Sequence, residues 1–144
     1  MCIRDSHDIG KIGTREAVLH KPSSLTPEEF QQITEHPALG ERMLSPLAHE
    51  SPDVLRIVRS HHERLDGRGF PDGLRGENIP IEARIVAVAD SFDAMTTRRP
   101  YREARPPDDA MRELRRVAGT QLDPRAVEAF VAAHPDPSEL PIPA

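Results

Sequence analysis

Six side chains of the types that bind metal ions are spread over residues 7–90 of this 144-residue chain. They are His7, Asp8, His36, His61, His62 and Asp90. An adjacent His and Asp can reach two neighbouring metals when the carboxylate bridges them, and two consecutive histidines at a helix end can supply two further imidazoles. Imidazole and carboxylate ligands together suit iron, manganese or zinc and disfavour calcium. A mixed cluster with room for water typically performs hydrolysis, so these residues predict a hydrolytic metal centre.

Asp90 provides the strongest single indication of a metal. It follows the apolar segment Ile-Val-Ala-Val-Ala at residues 85–89, where burial of an unpaired carboxylate would be costly. A metal ion is the simplest partner that offsets this cost, and an arginine is the structural alternative. His36 stands before a proline, so capping of a helix end is an alternative role for it. The remaining histidines are expected to be surface or capping residues, namely His20, His49 and His134.

The composition limits the classes of function. A formal net charge of -5 argues against broad binding to DNA through phosphate neutralisation. The single cysteine, Cys2, excludes an internal disulfide and a Cys-based zinc site, and it fits a reducing cytoplasm. No apolar run approaches the roughly 20 residues that a transmembrane helix needs. We therefore expect a cytoplasmic domain without a DNA partner and without a membrane segment.

The elements that must position these side chains are predicted to be helices. No repeat and no persistent alternation of apolar residues is visible. Thr26 and Glu29 form a capping box with proline at the first helical position, which predicts a helix that ends near residue 35. Further helices are predicted from residue 37 and over residues 52–62, 81–96, 107–117 and 124–133. The pattern therefore predicts an all-α fold with the candidate ligands on several helices.

Two segments between and within these helices have distinctive compositions. Residues 66–80 are rich in Gly, Asp and Pro, which is typical of a loop. The helix over residues 81–96 is almost continuously apolar in its first half. We therefore expect that helix to lie at the centre of the domain.

Four segments, in order along the chain, closely resemble the motifs of the HD-GYP domain, a subgroup of the HD phosphohydrolase superfamily. They are His-Asp-Ile-Gly-Lys-Ile-Gly from residue 7, Glu-His-Pro from residue 35, His-His-Glu-Arg-Leu-Asp-Gly-Arg-Gly-Phe-Pro-Asp-Gly-Leu from residue 61 and Ile-Val-Ala-Val-Ala-Asp-Ser-Phe-Asp-Ala-Met-Thr from residue 85. The resemblance covers residues 7–133. It implies an all-α fold, namely an HD-domain helical bundle with an HD-GYP C-terminal extension.

The resemblance also implies a function. HD-GYP domains hold two or three divalent metal ions, often iron or manganese, and hydrolyse cyclic di-GMP to the linear dinucleotide or to GMP. They are typically the output module of a bacterial response regulator or sensor. The implied partners are therefore cyclic di-GMP and an N-terminal receiver or sensor domain. The oligomeric state is open, with a homodimer as one candidate.

The resemblance assigns roles to individual residues. All six residues of the metal set match family ligands, with Asp8 as the bridging and catalytic carboxylate. Lys11 matches the catalytic lysine that contacts the scissile phosphate. Gly69, Phe70 and Pro71 take the substrate-binding Gly-Tyr-Pro position. Phenylalanine in place of tyrosine removes a hydroxyl and keeps the ring, so we expect it to alter loop detail more than chemistry.

The second phosphate of the substrate is expected to bind farther along the chain. Arg99 and Arg102 match the basic phosphate-binding pair of the family, and arginine binds phosphate in a fork. A cationic helix end that offsets the dipole is the alternative. Asp93 lies one turn beyond Asp90, where it would orient Arg99 or a water, or remain exposed. Tyr101 would stack on guanine or simply pack.

The two ends of the chain depart from the family pattern. Residues 1–6 resemble a translated sequencing adapter, so we expect them to be non-native and the domain to lack its first helices. The family carries a further His, and in trinuclear members a Glu, before the His-Asp pair, and residues 1–6 contain neither. One metal ligand is therefore expected to be missing, which puts the activity of this chain in question. Residues 134–144 contain four prolines and are expected to be a loose tail.

Three other functions compete with cyclic di-GMP hydrolysis. An HD-type phosphohydrolase could act on another nucleotide, but the Gly-Phe-Pro loop and the Arg99/Arg102 pair favour a cyclic dinucleotide. A catalytically inactive module that binds cyclic di-GMP predicts missing ligands, whereas the six ligands sought are all present. A di-iron oxygenase is a further alternative that the phosphate-binding residues disfavour.

Overall fold

The computed structural model describes residues 6–47, 52–98 and 103–136, and within these ranges the chain forms helices and no β-strand. The α-helices are α1 (Glu16–Leu19), α2 (Pro27–Thr34), α3 (His36–Leu44), α4 (Pro52–Ser60), α5 (Ile81–Thr96), α6 (Pro107–Val117) and α7 (Pro124–Ala133). Short 3₁₀ helices cover Ile9–Gly13, Ser45–Leu47 and Gly76–Asn78. The all-α prediction is confirmed. The short helix α1 was not predicted, because four residues are too few to show a periodic pattern.

Local sequence signals set the helix ends. The N–H of Glu29 donates to the hydroxyl of Thr26, and the N–H of Thr26 donates to the carboxylate of Glu29 at 2.7 Å, which confirms the capping box at the start of α2. At the start of α7, the carboxylate of Asp123 accepts the N–H of Arg125 at 2.8 Å. These caps satisfy backbone donors that have no partner within their own helix.

Helices α5, α6 and α7 pack around the main hydrophobic core. Its buried members are Val88, Phe92, Ala110, Met111, Leu114, Val117, Leu122, Ala126 and Val127. Burial of one large apolar side chain contributes about 1.5–3 kcal/mol relative to exposure. This core therefore anchors α5, the helix that carries Asp90.

Helix α5 is not enclosed on all sides, so the expectation that it lies at the centre of the domain is only partly right. Ala83 and Val88 are fully buried, but Ile81 and Ile85 are 41% and 53% exposed. Residues four apart lie on the same face of a helix, so the two isoleucines form one uncovered face. The composition of the helix could not reveal this, because the neighbouring helices decide which face is covered.

The N-terminal half of the domain is built on a close approach between two backbones. A Cβ atom added to Gly10 would lie 1.9 Å from the carbonyl oxygen of His36 and 2.7 Å from the amide nitrogen of Gly40. Only glycine permits this distance. The 3₁₀ helix Ile9–Gly13 therefore lies directly against α3, and the preceding turn with His7 and Asp8 is brought next to His36.

Some predictions fall on residues that lie outside the described ranges. These are His49, Arg99, Tyr101, Arg102 and most of the predicted loose tail, residues 137–144. Among the histidines predicted to be capping or surface residues, His20 is the exposed C-cap of α1, and His134 follows α7, where its Nδ1 donates to the carbonyl oxygen of Phe130 at 2.8 Å. No helix in the described part of the chain is long and apolar enough to cross a membrane.

Candidate metal centre

Four separate segments bring the predicted metal ligands together. The turn before the first 3₁₀ helix carries His7 and Asp8, α3 begins with His36, the turn after α4 carries the two consecutive histidines, and α5 carries Asp90. Four of these residues each offer a ligand atom, and those atoms all lie within 4.8 Å of one another. The four are Asp8, His36, His61 and His62. Residues far apart in sequence thus form one cluster of imidazoles around a carboxylate.

The tautomers of two histidines are fixed by the backbone. The Nδ1 atom of His36 lies 2.6 Å from the carbonyl oxygen of Ile33, and that of His61 lies 2.8 Å from the carbonyl oxygen of Val58. A carbonyl oxygen only accepts, so both Nδ1 atoms carry a proton. In a neutral ring the Nε2 atom then presents a lone pair, which is the usual state of a histidine that binds a metal.

These lone pairs point at a carboxylate oxygen. Oδ1 of Asp8 lies 3.3 Å from Nε2 of His36 and 3.6 Å from Nε2 of His61. All three atoms are buried, and among the described residues none of them has a hydrogen-bond partner of good geometry. Buried acceptors that face one another are unfavourable unless a cation lies between them. The donor set and its geometry therefore fit a divalent metal ion.

The protonation states of the cluster also suit a metal. Burial, together with the neighbouring His61 and His36, lowers the pKa of His62 to about 3, so this imidazole is neutral at pH 7. Burial alone would raise the pKa of the Asp8 carboxyl, but the ammonium group of Lys11, which donates to Oδ2 at 2.5 Å, lowers it and favours the ionised form. An ionised carboxylate and neutral imidazoles are the forms that bind metals.

Asp8 faces a second group of ligands through its other oxygen. Nε2 of His7 lies 3.6 Å from Oδ2 of Asp8 and 3.7 Å from Oδ1 of Asp90. Burial raises the pKa of the Asp90 carboxyl, but the contact with His7 lowers it overall. Asp8 thus lies between His36 and His61 on one side and His7 on the other. A carboxylate in this position can bridge two metal ions.

Lys11 lies at the edge of the cluster, as the sequence predicts. Its Nζ atom is 2.5 Å from Oδ2 of Asp8, and its side chain is 38% exposed. The 3₁₀ helix places Lys11 three residues after Asp8, on the same side of the turn. An ammonium group there can bind an anionic group that approaches the cluster.

The Gly-Phe-Pro segment lies against the histidines. The N–H of Phe70 donates to the carbonyl oxygen of His62 at 3.3 Å. The centre of the Phe70 ring is 4.9 Å from that of His62 and 6.4 Å from that of His36. Gly69 and Pro71 flank this ring. The structure therefore brings this predicted substrate-binding segment next to the predicted metal ligands.

The predicted binding residues for the second phosphate are described only in part. Asp93 is exposed near the end of α5, and its Oδ1 accepts a hydrogen bond from the hydroxyl of Thr97 at 3.3 Å. Arg99 and Arg102 lie outside the described ranges. Their roles stay predictions.

Two residues of this region were missed by sequence reasoning. Glu63 is a buried acid beside the histidines, 4% exposed, and its place within the motif that begins at residue 61 was an available signal. Phe30 is 54% exposed on α2, and its ring lies 6.4 Å from that of Phe70. A lone aromatic residue on a surface helix gives no signal of such a contact.

Comparison with protein families defines the class to which this fold and site belong. The sequence profile described as "HD domain" matches residues 6–126. The chain therefore belongs to the HD domain family, and the predicted resemblance to HD-GYP domains is confirmed.

Individual relatives are similar over most of this chain. It is 48% identical over 128 residues to a "Cyclic di-GMP phosphodiesterase" of Thermotoga maritima, with 87% of this chain and 34% of the relative covered. It is 47% identical over 126 residues to the "Cyclic di-GMP phosphodiesterase response regulator RpfG" of Xanthomonas campestris, with 87% and 33% covered. A "3'3'-cGAMP-specific phosphodiesterase 3" of Vibrio cholerae is 39% identical over 127 residues, with 88% and 27% covered. The chain thus spans about one third of the length of the first two relatives.

A solved structure confirms the fold. The chain is similar to Bd1817, an HDG"Y"P protein from Bdellovibrio bacteriovorus, with a TM-score of 0.67. The two are 22% identical, and the match covers 88% of this chain and 40% of the other. At this identity the similarity shows the helical fold alone.

Proposed function

We propose that this chain is a metal-dependent phosphodiesterase domain that hydrolyses cyclic di-GMP. The observation that carries the proposal is the buried Oδ1 atom of Asp8, which faces the Nε2 lone pairs of His36 and His61 at 3.3 and 3.6 Å. This geometry is favourable when a cation lies between the three atoms. The names of the relatives from Thermotoga maritima and Xanthomonas campestris support cyclic di-GMP as the substrate.

The residues of the cluster have separate roles in the proposed hydrolysis. Asp8, His36, His61 and His62 would hold one metal ion, and His7 and Asp90 would hold a second against the other oxygen of Asp8. Divalent metal ions bound there would lower the pKa of water and polarise a phosphoryl oxygen. Lys11 would bind the scissile phosphate as a point charge and stabilise the negative charge that develops there. Addition of water across one phosphodiester linkage opens the ring to the linear dinucleotide, and a second hydrolysis yields GMP.

We propose that the bound ions are iron or manganese. Four imidazoles and two carboxylates form a borderline set that suits these metals and zinc, and HD-GYP relatives favour the first two. We propose that the chain binds two of these ions through its own residues, with a third requiring further ligands. The metal content of anaerobically purified protein, measured by mass spectrometry, tests this number.

The proposed setting is bacterial second-messenger signalling. The relative from Xanthomonas campestris is named a response regulator, which supports a receiver or sensor domain as the regulatory partner of this domain. We propose that the domain acts in the cytoplasm, where cyclic di-GMP is made and degraded. A homodimer is the candidate assembly.

A second candidate substrate is 3′3′-cGAMP. The observation that favours it is the 39% identity to a relative named as specific for this dinucleotide. Both substrates contain two phosphodiester linkages in one ring, so the metal cluster can act on either. The contacts to the bases must decide between them.

The decisive experiment compares the two dinucleotides directly. The purified chain is incubated anaerobically with Fe(II) or Mn(II) and either substrate, and products are followed by chromatography. We expect hydrolysis of cyclic di-GMP, and a loss of at least ~100-fold in Asp8→Asn, which keeps the shape of the side chain and removes its charge. Asp109→Asn, an exposed change on α6 that removes a pairing with Arg112, is the control that should retain activity.

The outcomes separate the candidates. Faster hydrolysis of 3′3′-cGAMP than of cyclic di-GMP would transfer the proposal to that substrate. Tight binding of a dinucleotide without product, in the presence of either Fe(II) or Mn(II), would identify a binding module. Hydrolysis that survives in Asp8→Asn would contradict the assigned metal centre.

A further inference from the structure

We propose that Glu63 is a positioning residue that fixes the loop at residues 69–74, so that the rings of Phe70 and Phe30 form an aromatic wall beside the metal-binding histidines. The wall would bind the flat purine base of the substrate. This inference rests on the proposed phosphodiesterase function. It assigns roles to Glu63 and Phe30, two residues outside the predicted site.

The first step is the unusual set of partners of the Glu63 carboxylate. Oε1 accepts the backbone N–H groups of Asp72 at 2.7 Å and Gly73 at 3.1 Å, and Oε2 accepts that of Leu74 at 2.9 Å. The residue is only 4% exposed. A buried charge needs such hydrogen bonds, and charge-assisted bonds to three consecutive amides hold a loop more firmly than neutral bonds do. The carboxylate therefore acts as the internal support of this loop.

The second step is the tight fit between the loop and the segment that carries the histidines. A Cβ atom added to Gly69 would lie 2.5 Å from Cα of Glu63 and 2.6 Å from the carbonyl oxygen of His62. These are backbone atoms that cannot move aside independently. A displacement of the amides that Glu63 holds would therefore also displace Phe70.

An ion pair holds the same loop from the outside. The guanidinium of Arg59 on α4 donates to both carboxylate oxygens of Asp72, at 2.7 and 2.8 Å. Arg59 also donates to Glu41 on α3 at 2.6 Å. The loop is thus attached to α3 and α4 through Arg59 as well as to Glu63. The Arg59–Asp72 ion pair is more exposed than the Glu63 carboxylate.

The third step is the arrangement of rings that the loop creates. Phe70 lies 4.9 Å from His62, and Phe30 meets Phe70 edge-on at 6.4 Å and 80°. Phe30 is 54% exposed, so a ligand can reach its ring. Stacking on an aromatic face binds any nucleobase, because every base has a π-face. A phosphodiester at the metal cluster would place a base within reach of this wall.

The role of Glu63 is tested by hydrogen exchange, which needs no catalysis. Glu63→Gln keeps the volume of the side chain but turns an amide N–H₂ toward backbone donors. We expect exchange of the amides of residues 72–74 to accelerate at least ~10-fold, because buried donors lose their acceptor. Glu113→Gln removes an exposed carboxylate that pairs with Arg116 on α6, and it should leave these three amides unchanged. Asp72→Asn weakens only the exposed pairing with Arg59, so it should accelerate the exchange of these amides less than Glu63→Gln does. This second variant is measured in any case, so that the loop is still tested if Glu63→Gln does not fold.

The aromatic wall is tested by kinetics. Phe30→Leu keeps the apolar bulk and removes the ring, so we expect the KM for cyclic di-GMP to rise ~5- to 10-fold with kcat within ~2-fold. Glu63→Gln should shift KM in the same direction. Unchanged exchange at residues 72–74 in Glu63→Gln, or an unchanged KM in Phe30→Leu, would overturn the inference. If the wild-type chain hydrolyses neither dinucleotide, the proposed function fails, and the exchange comparison still decides whether Glu63 holds the loop.

Discussion

His36 presents its Nε2 atom to Oδ1 of Asp8 across 3.3 Å, while its Nδ1 donates to the backbone at 2.6 Å. The backbone bond fixes which nitrogen carries the proton, so two acceptors face each other in a buried space. His61 repeats the arrangement from the turn after α4 with a 2.8 Å backbone bond. Two separate segments thus present matched acceptor atoms to one carboxylate, and this is the arrangement expected of histidines that bind a metal ion.

Loss of the Lys11 charge should slow catalysis without loss of metal. Lys11→Met removes the ammonium group that lies 2.5 Å from Asp8 and keeps most of the side-chain volume. We expect kcat/KM for cyclic di-GMP to fall ~100-fold, since a charge aimed at the reacting phosphate is removed. Metal content by mass spectrometry should be unchanged, and a parallel loss of metal would show that Lys11 supports the cluster instead. Lys21→Met, which removes a pairing with Glu29 on α2, is the control.

Restoring the family hydroxyl at Phe70 should have little effect. Phe70→Tyr keeps the ring that packs 4.9 Å from His62 and adds one hydroxyl group to this half-buried side chain. We expect kcat/KM to change by less than ~3-fold, because the ring contacts are conserved and the net contribution of one hydroxyl group is small. Steady-state kinetics on cyclic di-GMP checks this expectation. A gain of ten-fold or more would mean that the hydroxyl takes part in the chemistry.

Gly10 should be intolerant of any side chain. In Gly10→Ala the new Cβ would lie 1.9 Å from the carbonyl oxygen of His36, a backbone atom that cannot move without moving α3. We expect a loss of about 3 kcal/mol in the free energy of unfolding, measured by urea denaturation, and weaker Mn(II) binding. Gly13→Ala is the matched control, because its Cβ would meet the side chain of Leu39, which can rotate. A loss in Gly10→Ala no larger than in Gly13→Ala would contradict this account.

The buried ion pair between Asp123 and Arg84 should stabilise the C-terminal helices. Their atoms lie 2.6 Å apart, and the side chains are 3% and 10% exposed. Asp123→Asn keeps a capping oxygen but leaves Arg84 without its carboxylate, so we expect a loss of about 2–3 kcal/mol. Glu113→Gln, which breaks the exposed pairing with Arg116, should cost less than about 0.5 kcal/mol. Equal losses of unfolding free energy in the two variants would contradict the claim that burial makes the Asp123–Arg84 pair the more stabilising of the two.

The Asp123 carboxylate should also make the free energy of unfolding depend on pH. Burial raises the pKa of Asp123, but hydrogen bonds from Arg125 and Arg84 lower it overall below the ordinary 3.8. A lowered pKa in the folded state stabilises the protein above the ordinary pKa, and this contribution is lost as the pH falls through the folded value. The difference in unfolding free energy between wild type and Asp123→Asn should therefore be constant above about pH 5 and shrink below pH 4. A difference that grows on acidification would reverse the assigned sign.

The sequence alone identified most of the local structure and the candidate ligands. The Thr26–Glu29 capping box, the proline-initiated helices and the apolar spacing all depend on interactions within a few residues, which are readable from the chain itself. The six candidate ligands were identified from their residue types and spacing, and Asp90 also from the cost of burying an unpaired carboxylate in an apolar segment. The Gly-Phe-Pro segment was identified by resemblance to a family. That resemblance rests on the order of several motifs along the chain, because local conformational propensity does not indicate a binding role.

Only the tertiary structure decided how these residues meet. Asp8 faces His36 and His61 because Gly10 lets two backbones approach within a distance that any Cβ would prevent, and a sequence does not state which helix lies opposite a glycine. The exposed face of α5 at Ile81 and Ile85 depends in the same way on which helices cover it. Glu63 could not be assigned a role from the sequence, because its carboxylate accepts hydrogen bonds from three backbone amides nine to eleven residues farther along the chain. Contacts between distant segments arise from packing of whole helices, and packing is a property of the folded chain.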